Sequence, residues 1–374
     1  MAAHQRFPLF VALTIFVLIL AGCGGGTSLK FPPPQGSFTN ANLNGSFAFS
    51  YSGSDARGFL AAAGSFQADG AGHITSGMQD INSGFGIVTN AGITGTYTVR
   101  PDGRGTANLN STAGNTVIDF VLVSGGHALV TRFDANAAGS GTIDQQTSTA
   151  FSNAALAGSF AFSVSGIDAV ENPLAAAGNF TSDATGNITA GVNDSNDNGG
   201  ILLNDPLTGT ITVGVSGRGT ATFNTGRGTL SFALYVVDGS HVKLIELDGT
   251  PVQAGDAFRQ TGPFSNASLS GPFAFTAAGA DVLNGVPFAA GGVFVSNGAG
   301  TISSGTQDFN DGGVLTTNAT VVSGSYSMAA NGRGTLSLTT SSGTSSYAIY
   351  PSSGGVLAVQ TDIRFVTIGT VLQQ

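Results

Sequence analysis

Along most of this chain a bulky apolar side chain falls on every second residue, with Ala, Ser, Thr or Gly between. Phe47, Phe49 and Tyr51 alternate with Ala48 and Ser50. Ile93, Tyr97 and Val99 alternate with Thr94, Thr96 and Thr98. Leu230, Phe232, Leu234 and Val236 do so with Ser231, Ala233 and Tyr235. A period of two marks a strand with one buried face, so the pattern predicts an all-β protein. Beyond the N-terminal segment no stretch has helical spacing. Ala61-Ala62-Ala63 is met at once by Gly64 and reads as a strand with small side chains.

The strands are punctuated by turn chemistry that repeats. Asp69-Gly70-Ala71-Gly72, Asp183-Ala184-Thr185-Gly186 and Asn297-Gly298-Ala299-Gly300 predict tight hairpins, as do Asp102-Gly103-Arg104-Gly105, Gly217-Arg218-Gly219 and Gly332-Arg333-Gly334. Phe-Ala-Phe recurs from residues 47, 160 and 273, and Phe-(Thr/Ser)-Asn-Ala opens each unit at Phe38, Phe151 and Phe264. Gly141-Thr142-Ile143-Asp144-Gln145-Gln146 matches Gly369-Thr370-Val371-Leu372-Gln373-Gln374. The chain is therefore expected to hold three copies of one domain: repeat 1 at 38–146, repeat 2 at 151–260 and repeat 3 at 264–374. Each copy has turns enough for about eight strands. Short connections favour antiparallel neighbours, so the expected fold is a meander β-barrel closed on itself. A two-sheet sandwich is the runner-up. It usually needs longer crossings and often a Trp-Cys core, and this chain has no Trp.

Residues 1–22 read as a bacterial lipoprotein signal peptide. Arg6 precedes an apolar run from Phe7 to Leu20, and Leu20-Ala21-Gly22-Cys23 is a lipobox. Cys23 is the only cysteine, which excludes an internal disulfide and suits lipidation. Acyl chains contribute about 0.8 kcal/mol per buried CH₂, so two or three hold a protein firmly to a bilayer. Residues 23–37 then form the lipidated Cys and a tether of glycines and prolines. Gly24 rather than Asp after the cysteine leans towards the outer membrane of a Gram-negative bacterium.

Composition narrows the partners. Only 9% of residues are charged and the net charge is −9, which argues against nucleic acid, whose phosphates call for basic patches. Charged residues that recur in every unit stand out against this background: Asp80, Asp194 and Asp308; Arg104, Arg218 and Arg333; Asp134, Asp248 and Asp362. They form either a polar site built once per domain or structural fixtures, with Asp capping turns and Arg pairing with a nearby carboxylate. The structural alternative is the stronger, because all three sets adjoin Gly or Asn turns. In repeat 2, Asp194, Asn196, Asn198 and Asp205 have the spacing of a Ca²⁺ loop, with Gly199 at its sharp turn. Repeats 1 and 3 lack part of that set, and no helix flanks it. His127 and His241 match each other, but repeat 3 has no histidine. No nucleophile elbow or phosphate loop is present in the sequence.

Gly-Ser-Phe-Ala-Phe, the run from Ala61 to Gly77 and Gly-Arg-Gly-Thr-Ala resemble the tandem-repeat lipoproteins of Acidobacteria. The resemblance covers all three repeats and implies an exported, lipid-anchored surface protein. It brings no activity or cofactor. The expected function is a non-enzymatic envelope lipoprotein presenting three β-domains for binding or adhesion. Its partners would be the membrane, through the anchor, and a protein, glycan or small apolar ligand. A lipocalin-like carrier of a small apolar ligand and a structural surface spacer are the alternatives.

Overall fold

The computed structural model describes residues 36–374; the signal peptide, Cys23 and most of the tether expected above lie outside them. Nearly everything described is strand, and the three repeats form three antiparallel barrels. In the first, β1 (Asn44–Asp55), β2 (Gly58–Asp69), β3 (His73–Ser83) and β4 (Gly86–Val99) run up and down. They are followed by β5 (Arg104–Ser111), β6 (Thr116–Ser124), β7 (His127–Asp134) and β8 (Ala137–Gln145). Each strand pairs with the next, and β8 returns to β1 with Phe49 opposite Ile143. The meander barrel forms, and the sandwich does not.

The third barrel repeats this order between Ser270 and Gln373. The second differs at its fourth strand, which breaks into Gly200–Pro206 and Thr208–Val213. Pro206 has no amide to give the ladder, so the single strand of its neighbours becomes two pieces on either side of Leu207. Both pieces still pair with Asn187–Asp197, and Pro173–Ser182 closes the ring against that same strand.

The alternation is satisfied as predicted. Phe47, Phe49 and Tyr51 point into the first barrel with Leu60, Phe66, Ile93, Tyr97 and Phe120, all buried. The asparagine of the opening Phe-(Thr/Ser)-Asn-Ala pins the entry of each barrel. Asn40, Asn153 and Asn266 each accept, through Oδ1, the amide of the last residue of the fourth strand or its neighbour, at 2.7–2.8 Å. At the hairpins between second and third strands, Asp69, Asp183 and Asn297 accept the amides two and four residues on, at 2.7–3.0 Å. Gly70 (φ +74°) and Gly298 (φ +73°) take the left-handed backbone there that other residues resist.

The barrels pack wall to wall. The outward faces of β1–β3 lie against the strands Gly228–Asp238, His241–Glu246 and Val252–Arg259 of the second barrel. The second barrel meets the third through the same pair of walls. Ala48 of β1 and Ala61 and Ala63 of the alanine run let the walls approach closely, and Ala161, Ala175 and Ala177 repeat this at the second seam.

Candidate functional site: the seams between barrels

Strand β3 positions the first group of the seam. Asp80 lies on its outward face, where alternate residues 78, 80 and 82 share one side. The Asn90 amide, presented by a left-handed residue (φ +51°), fixes Asp80 Oδ1 at 2.9 Å. The next barrel supplies the rest. Arg218 donates from Nε and a terminal nitrogen to the two carboxylate oxygens at 2.8 and 2.9 Å, and the Tyr235 hydroxyl donates at 2.5 Å. Arg218 and Tyr235 sit opposite each other on neighbouring strands, so they arrive together. Asp80 and Tyr235 are wholly buried.

The second seam repeats this one barrel along. Asp194 accepts from Arg333 at 2.7 and 2.9 Å and from Tyr350, and the Asn204 amide holds it at 2.8 Å. A bidentate guanidinium is the strong form of such a pair. Burial opposes the charge of Arg218 and Arg333, but the facing aspartates hold both guanidiniums above their ordinary range. Burial, and then the adjacent carboxylate, push the Tyr235 and Tyr350 phenols well up, so both stay protonated donors. Two further contacts recur. Asn82 Nδ2 donates to the Glu246 carbonyl at 3.0 Å, as Asn196 does to that of Gln360. Gln146 donates to the Val236 carbonyl at 2.7 Å, as Gln260 does to that of Pro351 at 2.8 Å.

The recurring charges are thus brought together, but across repeats rather than within one. Asp80 and Asp194 cap no turn: both lie within strands. Arg104 makes the local pair that the sequence suggests, to Asp102 at 2.8 Å. Asp308 is exposed. Two of the third set act in turns, Asp134 accepting the Asn136 amide and Asp362 that of Phe365, whereas Asp248 accepts the Ser231 amide from a neighbouring strand.

The residues with Ca²⁺-loop spacing have other work. Asp194 and Asn196 lie on the strand Asn187–Asp197, where a spacing of two gives a shared face rather than a loop. Asp194 holds Arg333, Asn196 Nδ2 donates to the carbonyls of Gln360, Asp362 and Phe365, and Asp205 accepts the Gly226 amide. Asn198 is the left-handed turn residue (φ +50°). A cation at Asp194 would have to displace a buried arginine, so this donor set does not fit one.

One group of residues escaped the sequence reading. At the first seam Lys243, wholly buried, reaches across to Asp144 at 2.7 Å and Thr142 at 2.6 Å, with Asp256 of its own barrel 3.7 Å away. His127 pairs with Asp144 at 2.6 Å and His241 with Asp256 at 2.8 Å. Burial works against both carboxylates, but Lys243 and the histidines hold them below the usual range. Lys243 is one of two lysines in the chain, and that scarcity was the available signal.

Inside the second barrel lies a cavity of about 150 Å³. Phe162, Phe223, Phe232 and Leu207 line its body, and Asp168, Asp197 and Arg227 its rim. Val164 stands where the first barrel has Tyr51, as their matched partners Gly255 and Gly141 show. Gln253 Oε1 is buried there with no hydrogen-bond partner. The deeper Glu246, wholly buried, is pushed up to about 8 by burial and then by Asp248.

No family model matches this chain, and no curated protein is significantly similar to it. Among solved structures it is similar to CghA, alone and with Sch210972, at 9% identity over 87% of each chain. The TM-score of 0.20 is too low to carry any argument. What the chain defines by itself is a tandem β-barrel protein whose barrels are joined through buried ionic contacts.

Proposed function

We propose that this protein is an exported, lipid-anchored envelope protein that holds three β-barrels in a fixed row for binding or adhesion. The observation that carries this reading is where the scarce charge goes. In a chain with 9% charged residues, Asp80 and Asp194 meet Arg218 and Arg333 in the two barrel-to-barrel joints. Joints of that kind suit a stiff array that sets surfaces at fixed spacing, and repeated weak sites on one tether raise avidity without new contacts. The lipobox and tether supply the anchor. Metabolic labelling with palmitate tests it: wild type takes up label and sediments with the outer membrane, whereas Cys23→Ser does neither. Label-free wild-type protein, or Cys23→Ser still fixed in the membrane, would contradict the reading.

The cavity of the second barrel favours a second reading, a carrier confined to that barrel. A space of about 150 Å³ is enough for a benzene-sized molecule, and the Gln253 acceptor would suit a ligand with one donor. Native mass spectrometry of protein from its host would then find an added mass. Val164→Tyr, which installs the residue of the first barrel, would remove it. A bare wild-type mass removes this reading and leaves the array intact.

A further inference from the structure

Among the described residues, a following barrel covers two of the three walls built like that of β3, and nothing covers the wall of the third barrel. The wall of Thr301–Asp311 and its neighbours carries the same groups in the same places. Asp308 and Asn310 occupy the positions of Asp194 and Asn196, since Asp308 faces Gly291 as Asp194 faces Ala177. Ala289 and Gly291 keep the surface as low as the alanines of the covered walls. Val293 and Val295 stand 39% and 38% exposed on it.

The polar groups are also held ready. Asp308 Oδ1 accepts the Asn318 amide at 2.5 Å, and Asn318 adopts the left-handed φ of +54° also seen at Asn204. Asn310 Oδ1 accepts the Gly313 amide at 2.8 Å, as Asn196 accepts that of Gly199 at 2.9 Å. Both supports persist without a partner. Groups fixed in their bound geometry lower the ordering cost of association.

The opposite wall, on the first barrel, is not the complement. Its Arg104 is already paired to Asp102, where the second and third barrels have Ser216 and Asn331. Val121 stands opposite Arg104 where Tyr235 stands opposite Arg218. Asp119 replaces Ala233, placing a carboxylate where the seams are apolar. A second copy docking head to tail would leave Asp308 without a tyrosine donor and bury Asp119 against alanine.

We propose that the exposed wall of the third barrel is a socket for a further barrel of this same design, and that the first barrel is a cap against self-pairing. The partner is defined by chemistry: an arginine and a tyrosine facing each other on neighbouring strands, flanked by small or apolar residues. Charge complementarity to Asp308 and continuity with the two occupied seams select it over a glycan or a membrane.

Restoring the missing half on the first barrel tests this. Sedimentation velocity of the full chain in detergent should give a monomer for wild type. The triple variant Asp102→Ser, Asp119→Ala, Val121→Tyr should associate head to tail as concentration rises. Adding Asp308→Arg should abolish that association, and Asp308→Asn should weaken it about tenfold or more. Unchanged thermal melting certifies that each variant folds. A triple variant that is folded yet monomeric, or one whose association survives Asp308→Arg, would overturn the socket. Wild-type chains that self-associate through Asp308 would overturn the cap.

Discussion

At the first seam the Asp80–Arg218–Tyr235 triad is flanked by Lys243, Asp144, Asp256, His127 and His241. At the second, the same triad of Asp194, Arg333 and Tyr350 has Leu357 in the place of Lys243, Phe258 in that of Asp144 and Thr370 in that of Asp256. One flank is ionic and the other largely apolar, yet the walls meet in the same register. The triad is therefore the constant part of the joint and the flank is replaceable. Buried ion clusters often contribute no more stability than a well-packed apolar group, because desolvation offsets their attraction. Losing one partner is another matter, since the charge left behind has no water to turn to.

The largest effect should come from the constant part. Asp194→Ala strands a buried guanidinium and a phenol, and should cost about 3–5 kcal/mol of coupling between the second and third barrels. Urea unfolding would then show the third barrel melting apart from the other two. Asp80→Ala should do the same for the first barrel at a similar cost, because the triad is the same at both seams. Clearly unequal costs would show that the flank alters what the triad contributes.

Next comes the flank itself. Lys243→Leu alone leaves Asp144 and Asp256, both half-buried, without their shared cation and should cost about 3 kcal/mol. Lys243→Leu with Asp144→Phe and Asp256→Thr copies the second seam and should recover most of it. A triple variant no better than the single would show that the seams are not interchangeable.

Glu246→Gln copies the Gln360 of the third barrel and should stabilise the second by about 2 kcal/mol at pH 8. Folding keeps the proton on Glu246 up to about pH 8, whereas the unfolded carboxyl releases it near 4.5. Stability is thus lost as pH rises through that window, and the gain from Gln should vanish at pH 4. Thermal melts at the two pH values check it.

In acid the seams should separate by a smaller margin. Asp144 and Asp256 have folded pKa values below their unfolded ones, so their contribution is complete above about pH 4 and fades as pH falls through the folded values. Between pH 4 and 2 wild type should lose more stability than the apolar triple variant, by about 1 kcal/mol. The smallest effect expected is none: calcium titrated into the protein should give no heat, because Asp194 is already held by Arg333.

Much of the fold could be read from alternation and turns. The period of two set the strands, Asp69 and its counterparts closed hairpins as their residue types suggest, and short connections pointed to a closed meander. The seams could not be read in the same way. Asp80 and Arg104 share a repeat, so within-unit pairing looked as good as the real contact from Asp80 to Arg218 in the next unit. Nothing in periodicity says which wall of a barrel is covered. The spacing of Asp194, Asn196 and Asn198 misled for a related reason: residues two apart share a face on a strand, so a docking face and a cation loop write the same letters. The alanine run at 61–63 could have warned of close wall-to-wall packing, since both of its outward members, Ala61 and Ala63, present only a methyl group to a neighbour.

If the triads hold the three barrels as one rigid row, the distance between the first and third barrels is fixed. Double electron–electron resonance between spin labels on the first and third barrels tests it most directly. Wild type should give a single narrow distance distribution, and Asp80→Ala with Asp194→Ala should broaden it. A broad distribution in wild type, or no broadening in the double variant, would contradict the account.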